Sequence, residues 1–218
     1  MSDTDSFIEE VTEEVRRDKL FAALRKYGWI GILAVLLLVG GAAYNEWRKA
    51  SERSAAQDLG DAILQATANN DVAARPALLS KITPSQNSSK VFLNMFEAAT
   101  LAEAKDKTAA LQILDKIATN TDAPKIYQQL ALLKAVILRG SDQDKTTRLA
   151  SLKTLSAAGN PFRVLALEQT ALAYVDYGNN TKAIEVLRTI LDEPGATQGL
   201  LQRAQQLIVA LGGTVSNG

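Results

Sequence analysis

Side chains able to do chemistry are few in this sequence, because two of the most versatile kinds are missing. Its 218 residues include no Cys and no His. Thiol nucleophiles, thiolate metal sites, disulfides and a lipid anchor on an N-terminal Cys are therefore excluded, and the commonest general base and metal ligand is lacking. The chain also has neither Gly-x-Gly-x-x-Gly nor Gly-x-x-x-x-Gly-Lys-Ser/Thr, the usual phosphate-binding loops.

Catalysis by carboxylates alone or by a Ser–Lys pair remains open on residue types. The spacing of these residues marks no site where proton affinities would be tuned for catalysis, so we expect no enzymatic activity, no cofactor, no metal and no small-molecule substrate. Lys and Arg together number 24, as do Asp and Glu, and this balance argues against binding to nucleic acid. We therefore expect the partners to be proteins and a membrane.

An uncharged run at 27–45 is the most informative segment of the chain. As an α-helix it would extend roughly 28 Å, close to the hydrocarbon thickness of a bilayer. Tyr27 and Trp29 lie near one end and Tyr44 and Trp47 near the other, as is typical of membrane interfaces. The pattern predicts one transmembrane helix, between an N-terminal segment at 1–26 and a C-terminal domain at 46–218.

Two other interpretations of this run were weighed. A buried core helix rarely lacks charge over such a length. A cleavable signal peptide would have small residues for cleavage at 40–43, but signal peptides usually begin short and basic. Here the segment before the run is long and contains seven acidic residues, which favours an anchor that is retained.

Basic residues near the two ends of the run predict its orientation. Five precede the run and three follow it closely, namely Arg16, Arg17, Lys19, Arg25 and Lys26 against Arg48, Lys49 and Arg53. The positive-inside rule therefore predicts a cytoplasmic N-terminus and, in the inner membrane of a Gram-negative bacterium, a periplasmic domain at 46–218.

The segment at 1–26 has the pattern of an amphipathic helix. Acidic residues crowd its first half and basic residues its second half, which matches the helix dipole. Its apolar residues recur at intervals close to three and four, namely Phe7, Ile8, Val11, Val15, Leu20, Phe21 and Leu24. A solvated helix leading into the span and a cytosolic docking site both fit this pattern.

Repetition is the main signal beyond the span. In the last copy, small residues at Ala171 and Ala183 stand twelve apart and enclose Tyr174 and Gly178, and the copy continues with Leu187, Ile190 and Pro194. Small residues let two helices approach closely, and Gly favours a helix end. This copy resembles a tetratricopeptide repeat, although Leu167 stands where the consensus has Trp.

Two earlier copies are weaker. The first has Ala98, Leu101, Ala110, Leu114 and Ile117, and the middle one has Ala131, Ala150, Thr154 and Ala157. The alanine spacing in the middle copy is seven residues longer, and the surplus is assigned to a polar loop at 140–146. We predict an all-α fold in which three helical hairpins over about 88–192 form a right-handed superhelix, capped by a helix near 198–211.

Residues 46–80 are expected to extend the membrane helix outward and then to turn back at Pro76. Their apolar residues are expected to pack on the first repeat, together with those that follow directly. These residues are Leu59, Ile63, Leu78, Leu79 and Ile82.

The order of these features resembles the YfgM family, bacterial inner-membrane proteins that are ancillary subunits of the SecYEG translocon. An acidic amphipathic opening, a basic stretch that ends in Arg25-Lys26-Tyr27-Gly28-Trp29, the span and degenerate repeats follow one another over nearly the whole chain. The resemblance implies a periplasmic tetratricopeptide-like domain beside the translocon, partnered by a membrane-anchored chaperone of the PpiD kind. It implies no catalytic residues.

The first helices of such hairpins line the concave face of the superhelix. Counted from the three small residues, the predicted partner-binding groove consists of Phe92, Met95, Ala99, Gln128, Leu132, Ala135, Leu165, Glu168, Leu172 and Val175. An apolar groove of this kind suits a partner helix or an unfolded client segment. In the alternative, residues 46–80 or the closing helix of the same chain fill it.

Two functions follow from this interpretation. One is an anchored interaction module that helps the Sec translocon and periplasmic chaperones to handle exported proteins. The other is an envelope adaptor or regulator, in cell division or wall synthesis, that uses the same repeats to bind other proteins.

Overall fold

The computed structural model describes the backbone of residues 3–84 and 86–214, with side chains for 25–27, 29–84, 86 and 89–214. All regular secondary structure in this described part is helical, which confirms the all-α class. The α-helices are α1 (Asp3–Thr67), α2 (Arg75–Leu79), α3 (Asn87–Glu103), α4 (Lys107–Thr119), α5 (Lys125–Arg139), α6 (Lys145–Leu155), α7 (Arg163–Asp176), α8 (Asn180–Leu191) and α9 (Gln198–Ala210), and a 3-10 turn (Gly140–Asp142) follows α5.

The chain divides into two units, Met1–Gln57 and Asp58–Gly218. In the first unit, α1 is long and apolar enough to cross a membrane, and every residue of 29–54 is exposed. The predicted helix at 27–45 is therefore present. The apolar stripe predicted from Phe7 to Leu24 lies outside the residues whose side chains the structure describes, although the backbone there is helical from Asp3.

The last turns of α1 belong to the second unit and form its first core cluster. Ile63 and Ala66 pack with Leu79 and Leu93, and Leu59, Leu78 and Ile82 border the cluster. The predicted apolar face therefore does pack on α3. The turn lies at 68–74, before the predicted position. Pro76 lies instead in the first turn of α2, where its missing N–H costs no hydrogen bond.

Three successive helix pairs follow, α3–α4, α5–α6 and α7–α8, and α9 closes the series. Each of these helices packs mainly on the helices just before and just after it in the chain. The predicted pairs and closing helix are thus present with nearly the expected bounds. Three core clusters run along the series, around Leu114, around Leu152 and around Leu187.

The second helix of the first and third pairs follows one local rule. Each begins after a capping side chain, Asp106 or Asn179, that accepts a hydrogen bond from the backbone N–H three residues on. The side chains four, eight and eleven residues after the cap are buried. These buried residues are Ala110, Leu114 and Ile117 in α4, and Ala183, Leu187 and Ile190 in α8.

The middle pair keeps this rule but in a different register from the predicted one. Asp144 caps α6 by accepting from the Thr147 N–H, and the buried residues four, eight and eleven positions later are Arg148, Leu152 and Leu155. The predicted packing positions were wrong. Ala150 and Thr154 are exposed, and Ala157 is exposed beyond the end of the helix. The insertion occupies 140–144, and it is shorter than predicted.

Arg148 thus takes the place of a packing alanine, and it is only 3% exposed. Its Nη1 donates to Oδ2 of Asp176 at 2.7 Å, and its Cζ lies 5.9 Å from the centroid of the Tyr177 ring. The Arg148 Nε and the Tyr177 hydroxyl are buried without a hydrogen-bond partner among the described atoms. A buried guanidinium therefore depends on one half-exposed carboxylate.

The alanine at the helix crossing gives a first prediction. Ala183→Leu should lower the free energy of unfolding by about 2 kcal/mol, because the added carbons have no space between packed helices. Ala150→Leu is the control, since Ala150 is exposed on α6, and it should change stability by less than about 0.5 kcal/mol. Urea unfolding followed by circular dichroism measures both. If Ala150→Leu lowered the free energy of unfolding as much as Ala183→Leu, Ala150 would be a packing residue, as predicted from the sequence.

The buried ion pair gives a second prediction, which depends on which partner is removed. Asp176→Ala leaves a buried guanidinium uncompensated and should cost about 2 kcal/mol. Arg148→Met removes the charge, fills much of the same volume and leaves a carboxylate that is 40% exposed to water, so it should cost less than about 1 kcal/mol. The same unfolding measurement decides, and a larger cost for Arg148→Met would contradict this account.

Candidate protein-interaction surface

The candidate surface is formed by the first helices of the three pairs, α3, α5 and α7. Their reference residues, Ala98, Ala131 and Ala171, are all buried, so each helix turns the same side toward its core. Residues at equal offsets from these alanines therefore occupy equivalent faces. This register allows each predicted groove residue to be compared directly with its burial.

Two predicted residues, Phe92 and Leu165, are exposed, at 39% and 43%. They stand at the same offset, six residues before Ala98 and Ala171. The Phe92 ring meets that of Phe96 edge-to-face, with the centroids 5.0 Å apart. The face they mark offers aromatic and aliphatic surface to a partner. Ala99, also predicted, is exposed nearby in sequence.

Two other predicted residues lie in the core and cannot line an open groove. Met95 is buried together with Val91, Ala98 and Leu114, and Ala135 is fully buried in the same cluster. Their offsets of three before and four after the reference alanine bring them close to its own side of the helix. The prediction placed them too far round the helix, and it was wrong for both.

The predicted polar residues are bound within the chain. Gln128 is half-buried, and its Nε2 donates to the carbonyl oxygen of Ala123 at 2.8 Å. The Glu168 carboxylate accepts two hydrogen bonds from Arg203 of α9, from Nε at 2.8 Å and from Nη2 at 3.1 Å. This pairing raises the pKa of the Arg203 guanidinium. A partner would therefore meet these two groups already satisfied.

The remaining predicted residues, Leu132, Leu172 and Val175, are half-buried. Leu132 packs against the middle core cluster. Leu172 lines a cleft of about 390 Å³ between α7, α8 and α9. These residues contribute to contacts between successive pairs as well as to the surface.

A second cleft, of about 290 Å³, lies between α3, α4 and α5. Ala99 and Leu114 line it, and Leu172 and Leu187 hold the equivalent places in the cleft beside α9. Both clefts therefore open at the same place in the repeat, between the first helix of a pair and the helix that follows that pair. Apolar walls of this kind can take an aliphatic or aromatic side chain.

The alternative of self-filling applies to part of this surface. The closing helix α9 contacts it through Arg203 at Glu168, and the end of α1 with α2 covers Leu93 rather than Phe92. The described part of the chain leaves Phe92, Phe96 and Leu165 uncovered. A partner can therefore bind to these three side chains by apolar contact. The described residues contain no group of three or more Asp or Glu side chains placed to hold a metal ion.

Three exposed apolar residues on these helices were missed from the sequence. Phe96 is 37% exposed, and on α5 Ile126 is 44% and Ile137 49% exposed. The signal for Phe96 was available, since it lies one helical turn after Phe92 and must share its face. Ile126 belongs to no equivalent predicted position, and its exposure depends on where α5 meets its neighbours.

Comparison with known proteins adds no family to this picture. No protein-family model, no curated protein and no solved structure matches the chain.

The difference between core and surface members of the predicted groove gives a third prediction. Met95→Ala should lower the free energy of unfolding by about 3 kcal/mol, because it leaves a cavity in the core. Phe92→Ala should cost less than about 1 kcal/mol, since much of that ring is already in water. Thermal and urea unfolding of the two variants measure the difference. Similar costs would mean that Phe92 is as enclosed as Met95.

Proposed function

We propose that this protein is an inner-membrane-anchored interaction module that assists the Sec translocon and periplasmic chaperones in handling exported proteins. It has a tetratricopeptide-like domain at 46–218 in the periplasm, in a right-handed superhelix, and a cytoplasmic N-terminus. A SecYEG translocon and a chaperone of the PpiD kind are the proposed partners. No enzymatic activity, cofactor, nucleic acid or small-molecule substrate belongs to this proposal.

The observation that carries the proposal is the exposed apolar face of the first helices, formed by Phe92, Phe96 and Leu165. Phe92 and Phe96 contact each other at the surface, and an exposed apolar patch favours an interaction site. Exported chains cross the membrane unfolded and present apolar side chains, for which this face is chemically suited. Apolar contacts at these residues would not depend on one client sequence.

The apolar part of α1 supports membrane attachment. Its exposed apolar side chains over 29–44 need an apolar environment or a partner, and a bilayer supplies the first. The basic residues that precede the run exceed those that follow it, which supports an N-terminus in the cytoplasm. An anchor of this kind would hold the domain where exported chains emerge.

The order of features supports the specific partner. An acidic amphipathic opening, a basic stretch, one span and degenerate helix pairs resemble the YfgM family over nearly the whole chain. The repeat rule found in all three pairs, with a cap four residues before a buried position, fits tetratricopeptide-like hairpins. An envelope adaptor in division or wall synthesis would use the same parts.

Photo-crosslinking in native membranes tests the proposal and is our fourth prediction. A photoreactive amino acid at Leu36 should give adducts with translocon subunits, because that position faces the bilayer. Probes at Phe92 and Leu165 should give adducts with a membrane-anchored chaperone or with exported chains. A probe at Asp122, which is exposed in the loop between α4 and α5, is the control and should give few.

Each outcome has a separate meaning. Adducts only with division or wall-synthesis proteins would replace the export function with that of an adaptor. Translocon adducts at Leu36 with none at Phe92 and Leu165 would keep the location and reject the apolar face as the binding surface.

A further inference from the structure

The second helices of the three pairs differ in charge from the first helices. Helices α4, α6 and α8 contain seven basic residues and two acidic ones, whereas α3, α5 and α7 contain five and four. The residues of the second helices are Lys107, Lys116, Lys145, Arg148, Lys153, Lys182 and Arg188, with Asp115 and Glu185. The chain as a whole is neutral, so this excess is a property of one set of helices.

Much of this charge is not neutralised within the chain. Four exposed lysines form no ion pair in the described part of the structure, namely Lys116, Lys145, Lys153 and Lys182. Asp115, in contrast, is bound to Arg139. The carboxylates of Asp106 and Asp144 accept backbone hydrogen bonds as helix caps. Of the two acidic residues, Glu185 alone remains exposed and unpaired among the described side chains.

A cleft of about 320 Å³ lies between α6 and α7, beside two of these lysines, Lys153 and Lys182. Leu149, Leu167 and Tyr174 supply apolar walls, Ala150 lies at the edge, and Lys153 lines one side. The ammonium of Lys182, on α8, lies 5.7 Å from the centroid of the Tyr174 ring. An apolar cleft is therefore bordered by cations from two neighbouring second helices.

The register of α6 accounts for the cleft. Because Arg148 occupies the packing position, the small side chain of Ala150 points outward, and α6 ends after eleven residues. The aliphatic hydroxyls at the cleft are already used, since Thr170 donates to the Ala166 carbonyl and Ser156 to the Lys153 carbonyl. The charged groups left to bind a ligand are therefore the lysine ammonium groups.

We propose that the cleft between α6 and α7 binds an acidic peptide segment of a partner protein, with one apolar or aromatic side chain seated between Leu149, Leu167 and Tyr174. Carboxylates beside that side chain pair with Lys153 and Lys182. This surface is formed by α6 and α7, with Lys182 of α8 beside it, and it includes neither Phe92 nor Leu165. A flat anionic membrane would meet the lysines but would make no use of an apolar cleft, so a peptide fits better.

A labelled model peptide tests this proposal and gives our fifth prediction. The full chain is held in nanodiscs of zwitterionic lipid, and fluorescence anisotropy measures its affinity for a short acidic peptide with one central phenylalanine. Lys153→Glu with Lys182→Glu should weaken binding at least about tenfold. Ala150→Trp, which fills the cleft from its edge, should weaken it by a similar factor.

Matched control variants make the same changes of charge and of side-chain volume at positions outside the cleft. Lys90→Glu with Lys125→Glu makes the same change of net charge on exposed lysines of first helices, and should leave affinity within about twofold. Thr154→Trp places the same bulk on an exposed position of α6 outside the cleft. Peptides with alanine for the phenylalanine, or with lysines for the acidic residues, should bind at least about tenfold more weakly.

Three results would overturn the proposal. The first is no binding of the acidic phenylalanine peptide by the unaltered chain. The second is equal binding of the alanine peptide, which would mean charge attraction without a seat for the side chain. The third is loss of binding to phosphatidylglycerol vesicles in the Lys153→Glu, Lys182→Glu variant with no peptide effect, which would assign the lysines to lipid. Crosslinks at Phe92 and Leu165 are unaffected by any of these.

Discussion

The close approach of helices at alanine is the constraint on which the domain depends. Ala98, Ala110, Ala171 and Ala183 are almost wholly buried, and a larger side chain at any of them would separate two backbones. Once these helices are in contact, the leucine four residues after each second-helix alanine falls into the groove between them and forms the cores around Leu114 and Leu187. The clefts beside α5 and α9 are what this packing leaves unfilled.

The middle pair shows how one departure from this constraint spreads. With Arg148 at the crossing, the helix needs a carboxylate partner, and Asp176 of α7 supplies it. The loop before α6 is longer than its counterparts, with a 3-10 turn that itself contacts α5 and α7. Ala150, two residues after Arg148, is exposed like Gln112 and Glu185 at the same position of the other pairs, and its small side chain lies at the edge of the cleft between α6 and α7. The middle pair therefore differs from the others in its core and in its connection.

The sequence was sufficient for the helices and their pairing, and less so for register and exposure. The caps at Asp106 and Asn179, with alanine four residues later, already contained the rule that assigns Arg148 to the packing position after Asp144. That rule was overlooked because alanine was taken as the marker of the packing position, and Ala150 and Ala157 are the alanines that the middle copy offers there. The burial of Met95 also followed from its offset of three residues from Ala98. The half-burial of Leu132 could not be predicted so simply, because it depends on the angle at which each neighbouring helix crosses.

Net charge was the least informative property of this chain. A balance of 24 basic and 24 acidic residues describes a protein with no electrostatic preference, yet the excess of basic residues lies mainly on the second helices. The exposed aromatic and aliphatic side chains of Phe92, Phe96 and Leu165 lie on the first helices. Because both helices of a pair must meet through small or aliphatic residues, their outward faces are free to differ, and the repeat carries that difference along the domain. Two chemically distinct surfaces on one domain would let two partners bind at once, which a neutral and uniform surface would not.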